Sequence, residues 1–318
     1  MAEQGKIPRR LRHLKNRPPF CASCAFGKAR KRPRLTKKSS NSSSIRKPEH
    51  NIPGKCVSVD HLVSAQPGFI PQMSGHLTNM RIWAASVFVD HFTDYVFVHL
   101  MRDLTIDETL IAKAAFERMM HNKGHKVQGY RGDNGLFGDK GFRDSCDAMV
   151  QELTFCVVSD HHQNNVVERR IQELTLLART MLLHAKRHWP DMITTMLWPF
   201  ALKCAADRLN KFSQNKDGFS PEELLCNMRY DINVGDRHTF GCPVFVLDHR
   251  LQGGPGGPPK WDPRACVGIY LGRSPFHANN VALVLNPRTG HISPQYHVVF
   301  DDDFTTVPFM SSGTVPPN

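Results

Sequence analysis

Apolar residues recur along this chain in two rhythms, and the change from one to the other marks its elements. Three runs, CVSVDHL (residues 56–62), IWAASVFVD (82–90) and YVFVHL (95–100), are rich in β-branched and aromatic side chains and are expected as strands. The short polar turn HFTD joins the last two, which predicts an antiparallel pair. Residues 105–121 follow a helical period through Leu110, Ala114 and Met120. VQGYRGD (127–133) returns to strand, a helix is expected after Gly138 toward Val150, and LTFCVVS (153–159) supplies a fifth strand. Three strands, a helix, and then strand alternating with helix predict a mixed α/β sheet covered by helices.

The clearest helical pattern spans residues 164–186. Val167, Ile171, Leu174, Ala178, Met181 and Ala185 advance by steps of four and three, so they form one buried stripe. Glu168 falls about 100° round from Val167, stacked with Gln172, Thr175 and Arg179, so the packed face anchors it while its carboxylate looks outward. Residues 191–212 read as a second helix through Met192, Thr195, Met196, Pro199 and Leu202, with a kink at Pro199. From Gly241 the character changes. CPVFVLDH, ACVGIYLG, NVALVLN and HISPQYHVVF are short strands punctuated by GGPGGPP, RSPFHAN and NPRTG, as in a small all-β barrel or meander. The expected division is a leader at 1–48, an α/β core at 50–225, a linker at 226–240 and a β module at 241–305.

Composition narrows the function classes. At 318 residues the chain exceeds the usual single domain, and 40% hydrophobic content suffices for a core. It holds no apolar run long enough to span a bilayer, and MAEQGKIPRRLRHLK lacks an apolar stretch after its charges, so a soluble intracellular protein is expected. Nine cysteines, scattered except for Cys21 and Cys24, read as reduced thiols. The net charge of +12 is concentrated: residues 1–48 hold 15 Lys and Arg against Glu3 alone, and the remainder sums to −2. Such a leader cannot fold against its own repulsion but can neutralise phosphates, or serve as a solvated linker or import signal. Arg169, Arg170, Arg179, Lys186 and Arg187 offer a local basic patch within the balanced remainder.

Three acids sit where chemistry could use them. Asp60 interrupts an apolar strand, at a desolvation cost with no evident partner; Asp133 closes another strand in GYRGDNG; Glu168 begins a helix. The Asn-Gly after Asp133 suits a turn leaving that acid at a strand end facing solvent. Each alone is ordinary, and only their convergence would make a site. Phosphodiester transfer needs a nucleophile in line with a leaving oxygen, and two divalent ions roughly 3.5–4 Å apart can hold both. Mg²⁺ prefers hard oxygen ligands, and carboxylates supply them. His61, beside Asp60 on a strand, is expected on the opposite face, and His161 and His162 flank the region. The Asp301 to Asp303 run reads as a solvated tail.

VSVDHL, YRGDNGLF and HHQNNVVERRIQEL, with thirty-four residues between Asp133 and Glu168, resemble the D,D,E core of retroviral and Copia-type retrotransposon integrases. CASCAFGKARKRP resembles the closing half of the zinc module before that core, and FGCPVFV, KWDPRACVGIYLGRSP and NPRTGHISPQYHVVFDDDF resemble the segment after it. The resemblance implies a ribonuclease H-like mixed sheet with helices on both faces, followed by a small SH3-like all-β module. It implies two Mg²⁺ or Mn²⁺ ions, one held by Asp60 and Asp133 and the other by Asp60 and Glu168. The implied reaction is 3′-end processing and strand transfer, joining element-end DNA to target DNA, by a homo-oligomer (dimer or tetramer) on DNA, in the nucleus or in a cytoplasmic virus-like particle. Asn134, Arg169, Arg170 and Arg179, with Lys28, Arg30, Lys31 and Arg32 of the leader, fall where DNA contact is implied.

The chain departs from the family pattern in three places. Asn164-Asn165 replaces the usual Asn-Gly before the glutamate helix, yet can still cap it. The interval from Asp60 to Ile82, with Pro67, Gly68, Pro71 and Gly75, reads as a loop insertion. Cys21 and Cys24 have the spacing of half a zinc site, but the upstream His pair is missing and His13 does not replace it, so Zn²⁺ is not expected without further ligands. Two other readings stand beside integration: a silent nucleic-acid-binding remnant, against which the intact acids argue, and a nuclease or resolvase of the same fold, against which the flanking segments argue.

Overall fold

The computed structural model describes residues 20–29, 51–70, 78–155, 165–229, 237–252, 256–278 and 280–310. A short helix α1 (Ala22–Gly27) is followed by strands β1 (Val57–Gly68), β2 (Ile82–Asp90) and β3 (Val96–Met101). Helix α2 (Ile106–Asn122), strand β4 (Gly129–Gly132), helix α3 (Lys140–Ala148) and strand β5 (Glu152–Phe155) come next. The order across the sheet is β3-β2-β1-β4-β5, antiparallel among the first three and parallel from β1 through β4 to β5. This is the mixed sheet that the alternation of strand and helix predicts.

Side-chain alternation divides the sheet into two faces. Val57 and Val59 of β1 and Phe88 of β2 pack with Ala112, Phe116 and Met120 of α2 and Phe142 and Cys146 of α3. On the other face, Ala85, Val87 and Val89 meet two long helices, α4 (Asn165–His188) and α5 (Trp198–Phe212). Helices therefore cover both faces, as expected. The stripe read from the sequence is the buried edge of α4: Val167, Leu174, Ala178, Met181 and Ala185 are in the core and Ile171 is partly buried against it. Lys186, Arg187 and His188 complete its last turn, where cations meet the helix's negative end.

Two local expectations are corrected. The second long helix does not start near 191 and kink at Pro199. Residues 195–197 form a 3₁₀ turn, and α5 begins at Trp198 with Pro199 in its first turn. A proline there removes only an N–H that has no helical acceptor, so it starts the helix rather than bending it. The stretch after Leu62 is likewise no loop insertion as far as Gly68. β1 continues to Gly68 with a shift in register against β2 between Val63 and Gly68. α5 and the turn before it hold this extension: Trp198 Nε1 donates to the Gln66 carbonyl at 3.1 Å and the Phe69 amide to the Met196 carbonyl at 2.8 Å. Gly68 is required by the close approach, since a Cβ there would run into the Pro199 ring. Pro71 and Gly75 lie outside the described residues.

After helix α6 (Pro221–Cys226), the last part is all-β. Strands β6 (Pro243–Leu247), β7 (Ala265–Arg273), β8 (Ala282–Leu285), β9 (Ile292–Gln295) and β10 (Val298–Phe300) form an antiparallel sheet in the order β10-β6-β7-β8-β9, and a short helix α7 (Val307–Met310) follows. One core runs through this sheet and the two long helices: Val244, Ile269 and Leu283 belong to the same cluster as Ala185, Leu197, Ala201 and Ala205. A sheet of this size buries too little surface by itself, and α4 and α5 supply the rest.

The acidic run near the end is corrected as well, because it is not a solvated tail. Asp301 accepts from the amide and hydroxyl of both Thr305 and Thr306. Asp302 accepts from the Thr239 amide and from His238 Nδ1 at 3.0 Å. Burial works to raise both carboxyls, but these donors outweigh it and hold them below the ordinary range. The two acids therefore fasten the chain end to the start of the β sheet.

Candidate active site

Asp60 lies on β1 opposite Val87 of β2. Counting along the strand from Val57 and Val59 puts Asp60 on the face of α4 and α5, with Leu62, which packs into that cluster. His61 falls on the other face, as its neighbour's position predicts. Its ring stacks on Phe137 with centroids 4.4 Å apart and planes 8° from parallel, and its Nε2 lies 3.2 Å from the Thr109 hydroxyl of α2. Burial lowers the His61 pKa to about 4, so the ring is neutral at physiological pH.

Asp133 lies one residue past the end of β4, the parallel neighbour of β1. The last recorded pair between these strands is Ser58 with Arg131, so Asp60 and Asp133 stand at equivalent places, two residues further on in each. Asp133 is exposed, and its Oδ1 accepts from the Gly135 amide at 3.3 Å, a side-chain-to-backbone turn of the kind Asp favours. Leu136 to Gly138 then make a 3₁₀ turn that brings Phe137 under His61. The loop carrying one acid is thus pinned to the strand carrying the other.

Glu168 is in the first turn of α4 and half-buried, one residue beyond the fully buried Val167. α4 packs over the face on which Asp60 lies, so the helix start brings this third acid to the same end of the sheet. The electrostatics of Asp60 record the convergence. Burial first, and then the charges of Asp133 and Glu168, raise its pKa from 3.8 to about 6, and the His61 amide, donating to Oδ1 at 2.7 Å, opposes them.

A second acid of the same sheet shows what a structural carboxylate looks like here. Asp90, fully buried at the end of β2, accepts from the Gly54 amide, the Thr93 amide and the Thr93 hydroxyl at 2.7 to 2.8 Å. Burial still raises its pKa, but several donors and no neighbouring acid act on it, and it ties the β2–β3 turn to the chain before β1. Asp60 has one donor and two neighbouring negative charges. Among the described residues, no cationic side chain pairs with Asp60, Asp133 or Glu168. Three carboxylates with no thiol among them are the donor set a hard divalent cation takes. They are not drawn into a closed cage, for among the described residues no group of three or more His, Cys, Asp or Glu side chains is gathered tightly enough to hold an ion.

The remaining candidates separate by what they touch. Asn134, Arg169 and Arg179 are exposed, the two arginines along α4. Arg170 is engaged already, with Glu173 at 2.8 Å and Asp94 at 3.8 Å. Lys28 is exposed just after α1, while Arg30, Lys31, Arg32, His13, His161 and His162 lie outside the described residues. Cys21 and Cys24 stand together at α1, the Cys24 amide 3.4 Å from the Cys21 sulfur, and α1 packs on α4 with Gly27 against Thr180. Two thiols are half of a zinc site, and no described residue completes it. No described helix is long and apolar enough to cross a membrane. The sequence pattern missed the stack of His61 on Phe137, because seventy-odd residues separate two rings that carry no local signal.

No protein-family model matches the chain, and no curated protein matches it. Among solved structures it is similar to the HTLV-2 integrase catalytic core domain in complex with magnesium, at 18% identity and a TM-score of 0.39 over 55% of this chain and 97% of that one. The BIV integrase catalytic core domain gives 17% identity and a TM-score of 0.39 over 56% of this chain and 95% of that one. A chain of the simian T-cell lymphotropic virus intasome in complex with the PP2A regulatory subunit B56 gamma gives 15% and 0.41 over 81% and 87%. The superpositions are loose and the identities low.

Proposed function

We propose that this protein is an integrase-type polynucleotidyl transferase with a ribonuclease H-like core, whose acids Asp60, Asp133 and Glu168 hold two divalent ions, Mg²⁺ or Mn²⁺. The observation that carries the reading is the state of Asp60: a partly buried carboxylate, pushed up to about 6, facing two further acids from separate elements and supplied with one donor. Burying like charges at the end of a sheet costs stability without return unless a cation is meant to join them. Bound there, divalent ions would supply a stabilised attacking oxygen and a neutralised leaving oxygen.

The chain's own residues prepare that chemistry. β1 fixes Asp60 between two paired strands, the Asp133 turn is held by Gly135 and by Phe137 under His61, and the packed stripe of α4 sets Glu168 in place. In this reading Asp60 and Asp133 share one ion, and Asp60 and Glu168 the other. The reaction is trimming of element DNA ends and attack of the 3′-hydroxyl on target DNA, carried out in the nucleus by a homo-oligomer of a Copia-type element. Exposed Arg169 and Arg179, with the basic leader, meet the phosphates. The neutral His61 takes no proton at working pH and serves as a positioning residue.

A strand-transfer assay with Mg²⁺ or Mn²⁺ on the parent and Asp133→Asn tests this. Product from the parent and none from the variant is expected. Equal product from both refutes the mechanism, and no product from the parent, with DNA binding intact, favours a silent binding protein of the same fold.

A further inference from the structure

A cavity of about 470 Å³ lies away from the three acids, between β3, α5 and β7. Its size is that of a small-molecule pocket, and its wall has two characters. Tyr95, Phe97, Phe200 and Phe276 contribute aromatic surface, and Phe276 is 74% exposed. Five basic side chains line it against two carboxylates, so the cavity is positive. One of those carboxylates, Asp207, is committed to Lys211 at 2.7 Å, and burial raises the pKa of the other, Glu222.

Arg237 is the unusual member. Its guanidinium lies over the Phe212 ring, 3.8 Å from the centroid, while its Nε and Nη2 are buried without a hydrogen-bond partner among the described residues. A stacked face stabilises the cation, but the in-plane N–H groups still need acceptors, and leaving them unmet is costly. Burial and the nearby charge of Arg208 both lower the Arg237 pKa, so a second cation stands where an acceptor would be expected. Among the described residues Arg208 makes one long bond, Nη2 to the His238 carbonyl at 3.3 Å. Two guanidinium groups among the lining residues of an aromatic-walled cavity match a phosphate attached to a flat ring.

We propose that this cavity binds a nucleoside phosphate, with the phosphate on Arg237 and Arg208 and the ring against the aromatic wall. The same chemistry comes from a free mononucleotide or from the unpaired end of a nucleic-acid strand, where base stacking on an exposed ring such as Phe276 is a common device. The site stands independently of the acid cluster, because no lining residue belongs to it.

The test is calorimetric titration of the full chain with thymidine 5′-monophosphate in EDTA, which separates this site from any divalent-ion chemistry. Thymidine, inorganic phosphate and 5′-phosphorylated oligothymidylate serve as comparison probes. The monophosphate should bind at least about ten-fold more tightly than thymidine or phosphate alone, and Arg237→Gln and Arg208→Gln should each weaken it about ten-fold, the worth of one charge-assisted contact. Arg237→Gln removes a buried unpaired charge, so its melting temperature should not fall; if it does, the exposed Arg208→Gln carries the test. Tighter binding of the oligonucleotide identifies a strand end as ligand, and equal or weaker binding identifies the free nucleotide. The proposal is overturned if the monophosphate binds no better than phosphate, or if Arg208→Gln leaves its affinity unchanged.

Discussion

Replacing Asp60 by Asn should make the protein more stable and less active at once. The ionised carboxylate is the form the fold disfavours: burial first, then Asp133 and Glu168, raise its pKa from 3.8 to about 6. Protonated Asp60 therefore contributes stability that is fully present below pH 3.8 and is lost as pH rises through about 6. A rise of that size corresponds to roughly 3 kcal/mol as a ceiling. The carboxylate is only partly buried, and solvent screening brings the expected value to about 1–2 kcal/mol. Asn keeps the shape and removes the charge, so at pH 7.5 without divalent ions its melting temperature should lie a few degrees above that of the parent, at about 2–4 °C per kcal/mol. At pH 4 the two should nearly coincide. Added Mg²⁺ or Mn²⁺ should raise the parent's melting temperature and not the variant's, because only the parent gains a ligand. Scanning calorimetry at both pH values, with and without metal, reads all four outcomes. A variant less stable than the parent at pH 7.5 would refute the electrostatic account, whatever its activity.

Three further outcomes follow from named contacts. His61→Ala removes the ring that holds Phe137 and the Asp133 loop; strand transfer should fall severalfold through kcat while DNA binding is retained, and His61→Phe, which keeps the stack, should recover most of it. Gly68→Val drives side-chain atoms into the Pro199 ring and should cost about 1–3 kcal/mol in urea unfolding, and an unchanged midpoint would show that the β1 extension is not held by α5. Deleting residues 1–48 should weaken DNA binding and flatten its dependence on salt, because the whole positive excess leaves with them; an unchanged slope would remove the leader from the interface.

What the sequence makes legible is what local periodicity encodes. The strand at 82–90 and the α4 stripe are both found, because a residue's burial follows from its place in a repeat of two or of 3.6. Pro199 and the β1 extension are misread for one reason: each is settled by the other. Pro199 in an otherwise helical run permits a kink or a start, and Pro67-Gly68 permits a loop or a strand end. Only the packing of α5 on residues 66 to 69 chooses between them. Asp302 of the acidic run fails in the same way, since its donors at His238 and Thr239 are some sixty residues upstream.

The proposed site lies between these cases. Each acid is visible alone, and spacing can suggest that three elements meet, but their meeting depends on β1 and β4 being parallel neighbours and on α4 crossing the Asp60 face. The same sheet supplies its own control. Asp60 and Asp90 both interrupt or close apolar strands, and nothing in their sequence context separates them. Donors separate them: Asp90 is met by three short hydrogen bonds, whereas Asp60 is met by one and opposed by two charges. A buried carboxylate met by several donors of its own turn, as Asp90 is, works by holding that turn. One left short of donors, beside others like it, keeps its lone pairs for a cation that comes from outside the chain.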